Sequence, residues 1–200
     1  GIPAWLRLGG AVALLVLAVS IVPTFLPKQS GGQAFALVQA WFEDYQTMQV
    51  DITMMMGDAR ISEVRVWSRA NGATRVEVQP VVHIIDPESK VMHTILNGNQ
   101  VMTRELDIAA GALPGDGHLE WLQELREFQG GAAVLEQPLQ VDGIDAMGWQ
   151  LNLEGQSYTL WVDPADNRPL LMEAELPGGM FMIVVFSFNE VFSAELFQPP

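Results

Sequence analysis

Residues 81–106, VVHIIDPESKVMHTILNGNQVMTREL, contain three short apolar runs separated by two turn signals. Asp86-Pro87-Glu88-Ser89 parts VVHII from KVMHTIL, and Asn97-Gly98 parts the latter from QVMTREL. Turns of two to four residues join only antiparallel neighbours, because parallel strands need long crossovers. Asn-Gly is the strongest short hairpin signal. The stretch therefore predicts a meander. Reading toward the N-terminus, Asn71-Gly72 marks another hairpin, between 61–68 and Thr74–Gln79, with Val64 and Val66 set against Arg65 and Trp67. Before it, Met48, Val50, Ile52, Met54 and Met56 alternate with Gln49, Asp51, Thr53 and Met55, the period of a half-buried strand, and Gly57-Asp58 turns the chain.

Toward the C-terminus the strands resume after Gly130-Gly131. Trp149–Leu153 alternates, Glu154-Gly155 turns, and Tyr158–Val162 follows. Asp163–Asn167 forms a polar turn before Leu170–Leu176. Pro177-Gly178-Gly179 leads into MFMIVVFSF, which reads as a strand buried on both faces. The expected total is nine to eleven strands. Two segments have helical spacing instead. Residues 34–46 place Phe35, Val38, Phe42 and Tyr45 on one stripe widened by Leu37 and Trp41, and 118–128 places Leu119, Leu122, Leu125 and Phe128 beside Trp121, capped by Asp116 or Gly117. A curved sheet needs its concave face covered, and two helices cover it only in part, so a cavity is expected.

Every one of the 24 acidic residues lies at or beyond Glu43. The part after residue 32 carries 24 acidic and 8 basic side chains, a net charge of -16. Such a surface repels phosphate backbones and anionic bilayers, so no nucleic-acid partner is expected. There is no cysteine, which excludes disulfides, thiolate nucleophiles and Cys-based metal centres.

Leu8–Leu26 is a run of nineteen uncharged residues between Arg7 and Lys28, close to the roughly 20 residues that cross a bilayer. Two readings stand. Residues 1–27 are a retained transmembrane anchor, with Trp5 and Phe25 at the interfaces, or a signal peptide cleaved near Ala18-Val19-Ser20. The apolar run continues past that site, which favours the anchor. Residues 28–33 read as a linker, and 34–200 as one domain.

Catalytic chemistry finds no candidate. GxSxG, Walker A and GxGxxG sequences are absent, and no metal spacing accompanies His83, His93 and His118. His83 and His93 fall on one hairpin, within reach of each other. Asp142/Asp145 and Asp163/Asp166 lie in turns, where Asp bonds nearby backbone amides. The expectation is a non-enzyme without cofactor; a hydrolase using one of these acidic pairs is the weakest alternative. The ten methionines stand out, with Met54, Met55 and Met56 consecutive and Met172, Met180 and Met182 late in the chain. They read either as ordinary core filling or as a pliable lining for an acyl chain or apolar peptide.

Residues 141–153 (VDGIDAMGWQLNL), 158–176 (YTLWVDPADNRPLLMEAEL) and the ending FSFNEVFSAELFQPP (186–200) together resemble the LolA/LolB/RseB-type superfamily of bacterial envelope domains. Gly143, Trp149, Leu160-Trp161-Val162-Asp163, Pro169-Leu170, Phe197 and Pro199-Pro200 occupy the family's places, as does the hairpin 81–96 with Lys90 after its turn. The resemblance covers about 34–200 with loose turn-and-strand motifs. It implies a mainly β (α+β) fold, a curved antiparallel sheet forming an incomplete half-barrel lidded by helices, here preceded by one transmembrane helix. It also implies a periplasmic domain that binds lipid or lipoprotein acyl chains, which the apolar run 8–26 would tether to the inner membrane. The alternative it implies is an envelope-stress sensor with an envelope protein partner, in the manner of RseB and anti-sigma-factor control. An anchor departs from the soluble carriers of the family and puts shuttling in doubt. The expected cavity lining is Met54, Met56, Val64, Val66, Trp149, Leu151, Trp161, Met172, Met182 and Val184.

Overall fold

The computed structural model describes residues 31–106, 120–153 and 155–200. The expected anchor at 1–27, residues 28–30 of the expected linker, and Leu119 with the cap at Asp116 or Gly117 lie outside the described residues, while 31–33, expected as linker, are helical because the helix begins at Gly31. Within 31–200 the elements are α1 (Gly31–Glu43), β1 (Thr47–Met56), β2 (Ala59–Arg69), β3 (Thr74–Val78), β4 (Val81–Asp86), β5 (Val91–Leu96), β6 (Gln100–Glu105), α2 (Glu120–Glu127), β7 (Ala133–Val134), β8 (Leu139–Val141), β9 (Ile144–Leu153), β10 (Gln156–Val162), β11 (Pro169–Leu176) and β12 (Met180–Phe188), then a 3-10 turn at Ala194–Phe197.

All strand pairs are antiparallel, and the sheet runs β6-β5-β4-β3-β2-β1-β12-β11-β10-β9-β7, with β8 beside β9. Two meanders are joined by the pairing of β1 with β12, Met48 opposite Phe188 through Met56 opposite Met180. The sheet stays open. Its β6 edge is wholly exposed and carries Arg104 and Glu105, polar groups that discourage further strand pairing. A twisted sheet of this width curls. Bulges at Met54/Met55 and Trp161/Val162 add local bends.

The turns follow the local signals. Asn97-Gly98 and Asp142-Gly143 both take positive φ at two successive residues, the backbone that a tight hairpin requires. Asp86 Oδ1 accepts the amides of Glu88 and Ser89, and its Oδ2 accepts the Ser89 hydroxyl at 2.6 Å. The Ser89 hydroxyl, the Ser89 and Glu88 amides and the positive side of His93 hold the Asp86 carboxyl below the usual carboxylate range, against a smaller desolvation effect.

Helix α1 lies across one face of the sheet, called the inner face below. Phe35 meets Trp149 of β9 at 5.7 Å, and Phe42 meets Phe186 of β12 at 5.3 Å, both edge to face. Phe35, Val38 and Phe42 are buried with Leu122 and Leu125 of α2 in one core that includes β1, β2, β3 and β9–β12. Leu37 is 57% exposed, so the apolar stripe is narrower than its sequence suggests, and Tyr45 falls beyond the helix end. The helices cap one another. Gln39 Nε2 donates to the carbonyls of Leu125, Arg126 and Phe128 at 2.9–3.0 Å, while Arg126 Nε donates to Phe42 O at 3.0 Å. These are the helix-end carbonyls that have no intrahelical donor. Gln39→Ala is expected to lower stability by about 1–2 kcal/mol, because three acceptors lose one shared donor, as read by urea denaturation.

Three expectations need correction. The strands number twelve among the described residues, since β7 and β8, of two and three residues, are too short to show a period. Strand β12 is buried on one face only: Met182, Val184, Phe186 and Phe188 face the core while Phe181 and Val185 are exposed. His83 and His93 point to opposite faces. His83 stands opposite Thr94 and bonds its hydroxyl at 3.1 Å, and His93 stands opposite Ile84 and bonds Thr103 at 3.0 Å. A hairpin offset of one residue reverses the face.

Candidate functional site

Nine of the ten expected lining residues share the inner face. Val64, Val66, Trp149, Leu151, Met172, Met182 and Val184 are buried in the main core, Met54 packs against it half-buried, and Met56 continues the same row while 52% exposed. Trp161 does not join them. Its neighbours Leu160 and Val162 point inward, so the alternation of β10 puts Trp161 outward, where Nε1 donates to Glu173 Oε2 at 2.9 Å. There it lies against Gly148, where a Cβ would approach its ring within 2.8 Å. The missing side chain lets the indole lie flat on β9.

The two halves of the inner face differ. Beneath α1, the positions Met48, Val50, Val66, Phe186 and Phe188 are buried, so the helix fills the concavity there. At the other end of the same strands, Met54, Val78, Tyr158, Leu176 and Met180 are only partly buried and Met56 is open to solvent. Val78, Tyr158, Leu176 and Met180 were not among the expected lining residues. The alternation that selected Met182 also selects Met180, and the register selects the others.

Beside this end the sheet parts. β2 pairs with β3 only from Arg65 to Ser68, although β2 begins at Ala59. A cleft of about 360 Å³ fills the parting, lined by Ile61, Ser62, Glu63, Arg65, Glu77, Val78 and Gln79. Ser62 and Val78 belong to the inner face, whereas Glu63, Arg65 and Glu77 belong to the outer one, so the cleft reaches both.

Charge is segregated by the same alternation. The outer face of β1–β3 carries Arg65 with Asp51 at 2.6 Å, Arg65 with Glu63 at 3.6 Å and Arg75 with Glu77 at 2.6 Å. The hydrogen bond and charge of Asp51 raise the Arg65 pKa above its ordinary value. On the inner face Trp149 Nε1 is buried and has no hydrogen-bond partner among the described residues. A buried N–H left unpaired costs about 1–3 kcal/mol and asks for an acceptor.

The acidic pairs serve turns. Asp163 Oδ1 accepts Ala165 N at 2.9 Å and Asp166 Oδ1 accepts Arg168 N at 3.0 Å, while Gln140 Nε2 donates to Asp145 Oδ1. No group of three His, Asp or Glu side chains among the described residues could hold a metal ion.

An open antiparallel sheet of twelve strands, helices on one face and an apolar inner surface define the class: the chain has a LolA/LolB/RseB-like fold. Among solved structures, LprF from Mycobacterium bovis superposes with a TM-score of 0.58 at 11% identity, over 84% of this chain and 96% of that one. More distant are MucB in complex with MucA (TM-score 0.42, 13% identity, 84% of this chain) and a LolA superfamily protein from Nitrosomonas europaea (TM-score 0.32, 15% identity, 84% of this chain and 97% of that one). The chain spans 59% of the length of MucB. The sequence matches no family model and no curated protein.

Proposed function

We propose that residues 34–200 bind lipid or lipoprotein acyl chains in the half-barrel, as an extracytoplasmic domain held at the inner membrane by residues 8–26. One observation carries the reading: the inner face is apolar across β1, β12, β11, β10 and β9, yet it is fully buried only toward the α1 end, and toward the other end it opens at Met54, Met56, Tyr158, Leu176 and Met180. Apolar burial at about 25 cal/mol per Å² would let one acyl chain contribute several kcal/mol without a covalent step. Methionine suits such a mouth because its unbranched thioether adapts to chains of different shape. The unpaired Trp149 N–H, deeper on the same face, would welcome a carbonyl oxygen of the ligand.

Native mass spectrometry of detergent-free protein with a lipidated peptide and its unlipidated twin tests this. Only the lipidated form is expected to bind, at one per chain. Equal binding of both, or of neither, would end the acyl reading.

A second reading, an envelope sensor that acts through a protein partner, is favoured by the outer face. Met55, Leu171, Phe181, Ile183 and Val185 stand together there on β1, β12 and β11, and Phe181 and Val185 are exposed. If the unlipidated peptide binds as well as the lipidated one, this reading gains.

A further inference from the structure

Four methionines occupy adjacent register positions at the open end of the inner face. Met54 is registered opposite Met182, and Met56 opposite Met180, on the adjacent strands β1 and β12. The two Met-x-Met pairs thus project to one side. Opposing Cβ atoms on antiparallel neighbours lie about 5 Å apart, and residues two apart on a strand about 7 Å. Each side chain has three rotatable bonds, so the four sulfurs can converge above that small rectangle.

Burial accounts for only half of the set. Met182 is 6% exposed and Met54 packs against the core, but Met56 is 52% exposed and Met180 is partly open. At exposed strand positions a β-branched side chain is the better strand former. Besides a flexibility that valine lacks, methionine offers there a soft sulfur donor. Thioethers favour Cu(I), whereas calcium, magnesium and manganese take oxygen donors. The inner-face neighbours Ser62, Val78, Leu176 and Tyr158 offer no carboxylate, imidazole or thiolate to draw a harder ion. The net charge of -16 after residue 32 attracts cations at long range.

We propose that Met54, Met56, Met180 and Met182 form a thioether site for a soft monovalent cation, Cu(I), held by neutral sulfurs without change of oxidation state. The site needs no acyl ligand and stands independently of the function proposed above.

The 200-residue chain is titrated with Ag(I), a redox-inert stand-in for Cu(I), in chloride-free buffer. Native mass spectrometry counts bound ions, and NMR follows the ε-methyl groups of ¹³C-labelled methionine. One ion per chain is expected. The ε-methyl signals of the four should move together while those of the other six methionines hold still. Met56→Leu combined with Met180→Leu should weaken binding at least tenfold with the circular dichroism unchanged. If that pair unfolds, the single Met56→Leu at its exposed position carries the same comparison. Met55→Leu, on the outer face, and Met102→Leu, 55% exposed on β6, should bind as the unaltered chain does. The site is overturned by no binding, by equal binding in the leucine variants of Met56 and Met180, or by shifts at Met55 or Met102 that track the four.

Discussion

Phe42→Ala is expected to lower stability by about 3–5 kcal/mol, the range for deleting a buried aromatic ring. Phe42 is fully buried and touches the rings of both Phe186 and Phe188, at 5.3 and 5.7 Å. It is the last anchor of α1 before the chain turns into β1, so the cavity it leaves cannot close without moving the helix. The carbonyl of Phe42 is also the acceptor for Arg126, which ties the loss to the docking of α2. Leu37→Ala on the same helix is the comparison. Leu37 is apolar and in the same register of helical residues, but its exposure predicts a change within about 0.5 kcal/mol. Urea unfolding of the two variants measures the difference. Equal losses would mean that α1 is not seated by Phe42 on the sheet.

Val184→Glu and Val185→Glu should behave as opposites although they are sequence neighbours. Val184 is fully buried between Ile52 and Met172 in the cross-strand register, whereas Val185 is 39% exposed opposite Asp51 and Leu171. A carboxylate at 184 would enter the apolar core with no partner, and it would either take a proton or open the sheet. A loss above about 4 kcal/mol, or failure to fold, is expected there. Val185→Glu should stay within about 1 kcal/mol, the residual cost coming from like charge opposite Asp51. Thermal and urea unfolding decide it. Tolerance of glutamate at 184 would show that the inner face is misassigned, and the proposed binding surface would fall with it.

Much of the architecture could be read before any coordinates. The Asn-Gly and Asp-Pro turns identified the β2–β3, β4–β5 and β5–β6 hairpins, because turn conformation is set by two or three adjacent residues. Helix α1 showed itself through Phe35, Val38 and Phe42, since its spacing is also local. The short β7 and β8 escaped notice because two or three residues display no period. Trp161 stands on the outer face because alternation along β10 turns it away from Leu160 and Val162, and which face of a strand meets the core is set by its register with distant partners. The both-faces reading of β12 failed for a related reason. Val185, Ile183 and Phe181 are apolar without being covered, and hydrophobicity alone does not tell a buried strand from an uncovered one.

By itself the sequence determined the strand-and-turn grammar, the two helices, the acidity of the folded part and the lack of thiol chemistry. Each of these depends on neighbours in the chain or on a plain count of charges. Only the tertiary structure decided that β1 pairs with β12, that Met54 and Met56 therefore face Met182 and Met180, and that α1 covers one half of the inner face while leaving the other open. Those outcomes join residues more than 120 positions apart. They are set by which surfaces bury each other when the two meanders come together, and that competition leaves no mark on any short stretch of chain.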